Sequence, residues 1–236
     1  MYHPEIIYED NHIIAVNKKV SELVQGDKTG DASIQENLKL WLKQKYYKPG
    51  NVYLGVIHRL DRPVTGAVLF AKTSKALSRM NELFKTGKVK KTYWAIIEKR
   101  TMKESDTLIH NLKKNAAQNK SYSYEKPVKG SKQAILNYRM LSVLNNYSLL
   151  EIDLQTGRHH QIRCQLATIG CPILGDLKYG FPRSIQNGGI GLHSRKISFI
   201  HPVSMNPVTI IADPAGHKLW DVFLKDITSK TNDQEI

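Results

Sequence analysis

Asp61 lies between two arginines in the run His58-Arg59-Leu60-Asp61-Arg62-Pro63-Val64-Thr65-Gly66. Flanking cations keep a carboxylate ionised, which a nucleophile or a general base requires. The run reads as a loop and is followed by an apolar segment, Ala67–Ala71, with the character of a short buried strand. Loops held by a rigid sheet edge are where catalytic groups tend to lie. The same composition fits a turn aspartate bonding local amides, or an ion pair at a surface corner, and composition alone favours that plainer reading.

A second run, Thr156-Gly157-Arg158-His159-His160-Gln161-Ile162-Arg163, opens a helical pattern. On a helix His159 and His160 share a face with Arg163, because they stand one turn before it. A helix N-terminus attracts phosphate, so this segment suits an anion at its start with Arg163 directed into a cleft. It also suits a basic helix end facing solvent. Metal chemistry finds no support: His159 and His160 are adjacent, with no H-x-x-x-H pair or carboxylate partner.

The elements that must position these residues follow from periodicity and turn chemistry. Ile6–Tyr8 and Ile13–Asn17 read as two strands around an Asp10-Asn11 turn. Ser33-x-x-Glu36 has the form of a capping box, and Ile34, Leu38, Trp41 and Leu42 fall on one helical face, with Pro49-Gly50 closing the unit. Thr73 or Ser74 caps a second helix with a Leu77, Met80, Leu83, Phe84 stripe and Gly87 at its end. Thr92–Ile97 is a strand. Lys99 to Ser131 is polar, lysine-rich and weakly periodic, which predicts short strands and mobile loops. Ala134–Val143 and Tyr147–Leu154 form a hairpin around Asn145-Asn146. Thr156-Gly157 then opens the third helix, with Ile162, Leu166 and Ile169 inward and Gly170 at its end. Lys196–Ile200 and Val208–Ala212 are further strands beside proline turns. Strands outnumber helices and are often joined by hairpin-length links, which predicts an α+β fold with a largely antiparallel sheet.

The chain has 236 residues, 41% of them apolar, enough for a packed core. No run approaches the ~20 apolar residues of a membrane helix. The segment from Met1 to Asp10 carries three acids and no Lys or Arg, unlike a secretory signal. A cytoplasmic protein is expected. Cys164 and Cys171 are the only cysteines and read as reduced, buried thiols. Lys plus Arg is 35 against 21 Asp plus Glu, a net charge of +14, with pI near 9.6. From Lys85 to Lys132 there are 13 Lys or Arg and four acids, a local net of +9. Such a balance points to a polyanionic partner, although a lysine surface that only aids solubility has the same composition.

Taken in order, the motifs resemble those of the RluA-type pseudouridine synthases. His58–Gly66 is similar to that family's H-R-L-D-x-x-x-S/T-G motif, and Lys91-Thr92-Tyr93-Trp94-Ala95 to its K-x-Y-x-A motif. Thr156–Arg163 resembles T-G-R-x-H-Q-I/L-R, and Gly170–Tyr179 continues it with G-x-P-I-x-G-D-x-x-Y. Leu192-His193 and Phe199–Pro202 resemble the later L-H and F-x-H-P elements. The likeness runs from about Ile6 to Pro214. His159 replaces the Thr, Ser or Lys often seen before the His-Gln pair, and Thr65 replaces the commoner Ser; both keep a polar side chain.

The resemblance implies a mixed, largely antiparallel central sheet flanked by helices, with an RNA-binding catalytic cleft. It implies isomerisation of selected uridines in tRNA or ribosomal RNA, with no cofactor and no metal. By the same likeness Asp61 is the catalytic aspartate, Tyr93 packs on the target uracil, Arg163 pairs with the aspartate and Arg59 helps displace the target base. His58, Arg62, Lys91, Arg158, His159, His160 and Gln161 are read as contacts to RNA or uridine. The C5 proton would pass to the Tyr93 hydroxyl or a water. RNA is the implied partner, with no membrane and no obligate protein partner, and the chain is expected to be a monomer. The first family strand starts near Ile6, so the S4-type RNA-binding domain of many relatives is expected to be missing. One catalytic domain over 1–236 is expected, with 225–236 as a flexible tail. Two rival classes remain: a non-catalytic RNA-binding protein or chaperone that keeps the fold, and a metal-dependent nuclease.

Overall fold

The computed structural model describes residues 2–27 and 30–232. In chain order the elements are β1 (Ile6–Glu9), β2 (Ile13–Lys18), α1 (Ile34–Lys45), β3 (Gly55–Val56), β4 (Thr65–Ala71), α2 (Ser74–Lys85) and β5 (Lys90–Glu98). There follow β6 (Ser105–Asn115), β7 (Lys120–Tyr124), β8 (Lys132–Val143), β9 (Tyr147–Leu154) and α3 (Gln161–Thr168). A short 3-10 turn (Leu177–Tyr179), β10 (Leu192–Ile200), β11 (Pro207–Ile211) and α4 (Lys218–Asn232) complete the chain. The packing divides into two compact units, Met1–Lys91 with Ser194–Asp213, and Thr92–His193 with Pro214–Ile236.

The first unit is built on the antiparallel strands β2 and β4. Both are buried along their whole length, which explains why IIAVNK and TGAVLFA read as continuous runs and not as alternating ones. Successive residues still serve opposite faces. Ile14, Val16, Val68 and Phe70 pack with Ile34, Leu38 and Leu42 of α1. Ile13, Ala15, Ala67 and Leu69 pack with Ala76 and Met80 of α2, together with Ile197, Phe199 and Ile210 of the β10–β11 hairpin. The predicted capping box is present: the Ser33 hydroxyl accepts from Glu36 N–H, and the Glu36 carboxylate accepts from Ser33 N–H. Thr73 caps α2 by accepting from Ala76 N–H at 3.1 Å. Asp10 closes the β1–β2 turn by accepting from the His12 and Ile13 amides at 2.7 Å each.

The second unit is an antiparallel sheet in the order β5-β9-β8-β6-β7. One face takes α3, through Cys164, Leu112, Ala134 and Tyr179. The other takes α4, whose Trp220 and Phe223 pack with Trp94, Ile96 and Leu149. The β8–β9 hairpin closes where the Asn145-Asn146 pair predicts it, with Leu144 N–H donating to Tyr147 O at 2.8 Å. The α+β class and the largely antiparallel pairing are as the sequence led us to expect.

Three local expectations differ from the structure. The polar stretch from Lys99 to Ser131 holds an eleven-residue strand, β6, paired on both sides. Its alternation is faint because the inward series of Leu108, His110 and Leu112 includes a polar ring, which lies 3.1 Å from the Gln165 amide of α3. Ile169 caps α3 and is 36% exposed, not inward. The segment from 225, read as a tail, continues α4 to Asn232, with Leu224 and Ile227 against the Trp220 cluster; residues 233–236 lie outside the described residues.

Gly66 fixes the start of β4. Its φ of +113° lies where L side chains rarely go, and a Cβ there would stand 2.4 Å from the Ser194 carbonyl oxygen. Gly66→Ala is therefore expected to cost at least about 3 kcal/mol in unfolding free energy, measured by chemical denaturation. A near-wild-type midpoint would show that β4 and β10 can separate without cost.

Candidate active site

The Asp61 loop joins β3 to β4. Its turn is closed by Val64 N–H donating to Asp61 O at 3.0 Å. Beneath it lies Lys18, the last residue of β2, only 1% exposed. The Lys18 ammonium donates to the carbonyls of Lys19 and Arg62 at 3.0 Å and of Val64 at 2.7 Å. Ser21 N–H donates to the same Arg62 carbonyl at 3.1 Å. The backbone that follows Asp61 is thus pinned at two carbonyls by one buried cation. Burial pulls the Lys18 pKa down to about 8, against the opposing pull of the Glu22 and Asp61 carboxylates and with a smaller push from Arg62. Sequence reading passed over Lys18. The available signal was a lysine ending a strand that opens with four apolar residues, Ile13–Val16, where a buried ammonium must find acceptors.

The other residues expected to act from this unit divide by environment. Arg59 and Arg62 are exposed, and Arg62 bonds Asp31 at 2.7 Å. Lys91 is partly buried, its ammonium 5.9 Å from the centre of the Phe84 ring, and burial lowers its pKa. His58 faces inward: its Nε2 accepts from Leu69 N–H at 3.2 Å, and its ring stacks on Phe84 with centroids 5.2 Å apart. Accepting at Nε2 assigns the proton of the neutral ring to Nδ1. Burial, with the nearby Lys91 charge, lowers its pKa to about 3. His58 supports β4 through this bond, a role different from the RNA contact that its motif position suggested.

The second unit carries Tyr93 and Arg163. Tyr93, 8% exposed, pairs with Ile152 across β5 and β9, and Ile152 pairs with Tyr138 of β8. The turn before α3 is anchored to β8 by its own motif residues. Thr156 Oγ1 accepts from Ile135 N–H at 2.9 Å and donates to Gln161 Oε1 at 2.8 Å. The Gln161 amide donates to Ile135 O at 3.1 Å, and its Oε1 accepts from Arg158 N–H at 2.9 Å. Gln161 is 3% exposed, so it braces the turn. Arg158 is exposed and donates to Gln133 O at 2.9 Å.

Arg163 is 5% exposed and grips Asp176 with a two-point fork, Nε to Oδ2 at 2.7 Å and Nη2 to Oδ1 at 2.8 Å. Its Nη1 lies 3.2 Å from His160 Nε2, and its guanidinium carbon 5.2 Å from the centre of the Tyr179 ring. A guanidinium only donates, so His160 Nε2 accepts and its Nδ1 carries the proton. Nδ1 then donates to the Tyr179 hydroxyl at 3.0 Å. That hydroxyl also accepts from Ser121 N–H at 2.8 Å and donates to Ser121 O at 3.2 Å. The chain of bonds therefore runs from Asp176 through Arg163, His160 and Tyr179 to β7. His160 adopts φ +53° to make it, and His159 stacks on it with ring centres 3.8 Å apart. Asp176, 1% exposed, was quoted within a motif but not singled out as a site residue; its signal was a lone acid after Gly175 in an apolar stretch. The structure thus gathers Arg163, His160, Gln161 and Arg158 in one unit. Asp61, His58, Arg59, Arg62 and Lys91 belong to the other. Among the described residues, no group of three or more His, Cys, Asp and Glu could hold a metal ion, and no helix is long and apolar enough to cross a membrane.

The His58 geometry has a pH consequence. Its folded pKa of about 3 lies below the ordinary 6.5, so between these values the unfolded chain binds the extra proton. The stabilisation is complete above 6.5 and is lost as pH falls. His58→Gln should flatten the fall in stability over this window by up to ~1.4 kcal/mol per pH unit, measured by urea unfolding at several pH values. An unchanged slope would place the titration elsewhere.

Comparison with known proteins points to the same family. The sequence profile of the RNA pseudouridylate synthase family matches residues 12–168. The ribosomal large subunit pseudouridine synthase C of Rickettsia prowazekii is 36% identical over 176 residues, covering 74% of this chain and 56% of that protein. The tRNA pseudouridine synthase C of Pectobacterium carotovorum is 29% identical over 229 residues, covering 88% and 58%. The chain spans 56% and 58% of the length of these two relatives. The solved structure of human RNA pseudouridylate synthase domain containing 4 shares the fold, with a TM-score of 0.75 over 94% of this chain and 92% of that one at 22% identity. With its profile matching from His12 to Thr168 and its motifs in order, the chain belongs to the RNA pseudouridylate synthase family.

Proposed function

We propose that this chain is a pseudouridine synthase that isomerises specific uridines in structured RNA, tRNA or ribosomal RNA, through Asp61 and without a cofactor. Relatives named for each RNA class support both targets. It acts as a monomer in the cytoplasm, as one catalytic domain. The observation that carries the reading is the ordered set of Asp61, Tyr93 and Arg163 in a family member, each on a braced element.

The reaction breaks N1–C1′ and makes C5–C1′; the C5 proton leaves to a base, and N1 gains a proton. The target nucleotide first leaves its stack, since a carboxylate cannot otherwise reach the glycosidic bond. Arg59, exposed beside Asp61, serves as wedge or phosphate clamp. Tyr93 packs on the freed uracil, a contact worth ~1–3 kcal/mol. Asp61 acts at C1′ or C6, and Arg163 keeps that carboxylate ionised and oriented. Arg163 suits this role because Asp176 and His160 engage three of its N–H groups and fix its plane. The Tyr93 hydroxyl or a water takes the C5 proton. His159, Arg158, Arg62 and Lys91 line the RNA path.

The test is tritium release from tRNA and ribosomal RNA transcripts labelled at uridine C5, with and without chelator. Wild-type protein should release tritium in both conditions, and Asp61→Asn should release none while keeping RNA affinity and melting temperature. Substantial release by Asp61→Asn sinks the role of Asp61. RNA binding without any release by the wild type returns the chain to the non-catalytic class.

The excess of nine positive charges between Lys85 and Lys132 predicts strong salt dependence. RNA affinity should fall at least about tenfold between low and moderate salt, measured by filter binding. A flat response would remove phosphate contacts from the account.

A further inference from the structure

The β6–β7 ribbon has two unlike faces. Residues paired across neighbouring strands point to the same side of a sheet. Leu108, Leu112, Ala134 and Leu136 are buried on the side that receives α3. Tyr93, through its pairing with Ile152 and Tyr138, belongs to that same side. The opposite side is open at this end of the sheet. It presents Ile109, 56% exposed, with Tyr122 and Tyr124, each 38% exposed. Register places Lys113 beside Tyr122 and Asn111 beside Tyr124. The two tyrosines are alternate residues of one strand, so their rings start about 6.8 Å apart along it. The Lys120 ammonium sits at the β7 edge, 5.6 Å from the centre of the Tyr122 ring and 5.1 Å from that of Tyr179.

A solubilising surface needs charge but not exposed rings and an exposed isoleucine on a sheet face. Two flat rings in series, with an amide and ammonium groups beside them, have the composition that stacks bases and neutralises phosphates. The surrounding chain agrees in sign: residues 113–132 contain six lysines and one glutamate.

We propose that this open face is an RNA platform distinct from the uridine site. It holds unpaired nucleotides of the substrate RNA by stacking on Tyr122 and Tyr124, with Lys113 and Lys120 at the phosphates. The proposal rests on RNA being the substrate. It adds a contact on the side of this unit's sheet opposite to Tyr93, so part of the RNA must wrap round the β7 edge or a second segment must reach it.

Fluorescence anisotropy of the full chain with a labelled oligouridylate and with unfractionated tRNA tests it. The double variant Tyr122→Ala, Tyr124→Ala should bind both at least about tenfold more weakly. The double variant Tyr122→Phe, Tyr124→Phe keeps the rings and should stay within about twofold of wild type. In the tritium assay the alanine pair should raise KM and leave kcat at saturating RNA unchanged. Wild-type RNA affinity in a folded alanine pair overturns the platform, including when the same variant loses binding to an acidic polypeptide such as polyglutamate. Equal loss in both pairs overturns it as well, since stacking would not be the contact. RNA binding that depends on these tyrosines, with no tritium release by the wild type, keeps the platform and rejects the synthase.

Discussion

A single buried ammonium organises the loop on which the chemistry is proposed to depend. Lys18 ends a strand covered on both faces, so its charge cannot reach bulk water. Desolvating a cation is unfavourable unless its protons find acceptors. Three carbonyls supply them, one adjacent and two from the Asp61 loop. Strand β2 and the loop are thereby held in one arrangement, because any other would strand both the ammonium and the carbonyls. Burial still opposes the charge and holds the Lys18 pKa down to about 8, although the Glu22 and Asp61 carboxylates favour the ammonium. The rigidity of the Asp61 loop follows from that balance as much as from its Arg-Pro sequence.

The second unit solves a similar problem with a different cation. Arg163 is nearly inaccessible, and its planar fork is matched by the Asp176 carboxylate. Breaking such a buried pair by removing one partner typically costs ~3–5 kcal/mol, since the remaining charge is left uncompensated. His160 and Tyr179 extend the grip to β7 through a run of consecutive hydrogen bonds. A buried hydrogen-bonded network of this kind is stiff, which suits the orienting role proposed for Arg163.

Motif residues therefore divide into exposed ones, which are proposed to meet the RNA, and buried ones, which brace the chain around them. Gln161 and Thr156 fasten the turn before α3 to β8, and His58 fastens its loop to β4. In a motif string they look equivalent to Arg59 or Arg158, because polarity is common to both groups. Burial separates them. A polar side chain that is 3% exposed, as Gln161 is, has its hydrogen bonds committed to the fold. Arg59 and Arg158 are exposed, and Arg158 spends one of its guanidinium N–H groups on the Gln133 carbonyl.

The amino-acid sequence by itself determined the α+β class, the capping box at Ser33, the Thr73 cap, the β8–β9 hairpin and the three candidate site residues. Those features are local: each rests on residues within a turn or two, or on an ordered motif. The length of strand β6 escaped notice because His110, one of its three inward residues, is accommodated by a helix 55 residues later, where Gln165 meets it. Helix α4 escaped because its apolar stripe acquires meaning only against Trp94, Ile96 and Leu149. Lys18 is 46 residues from the Val64 carbonyl and Arg163 is 13 from Asp176. Spacing of that kind carries no period that a sequence displays. Tertiary structure alone decided which charges are buried, which partner neutralises each, and which side of the β6–β7 ribbon stays open. The physical reason is that burial depends on what the rest of the chain places overhead, whereas period and capping depend only on neighbours.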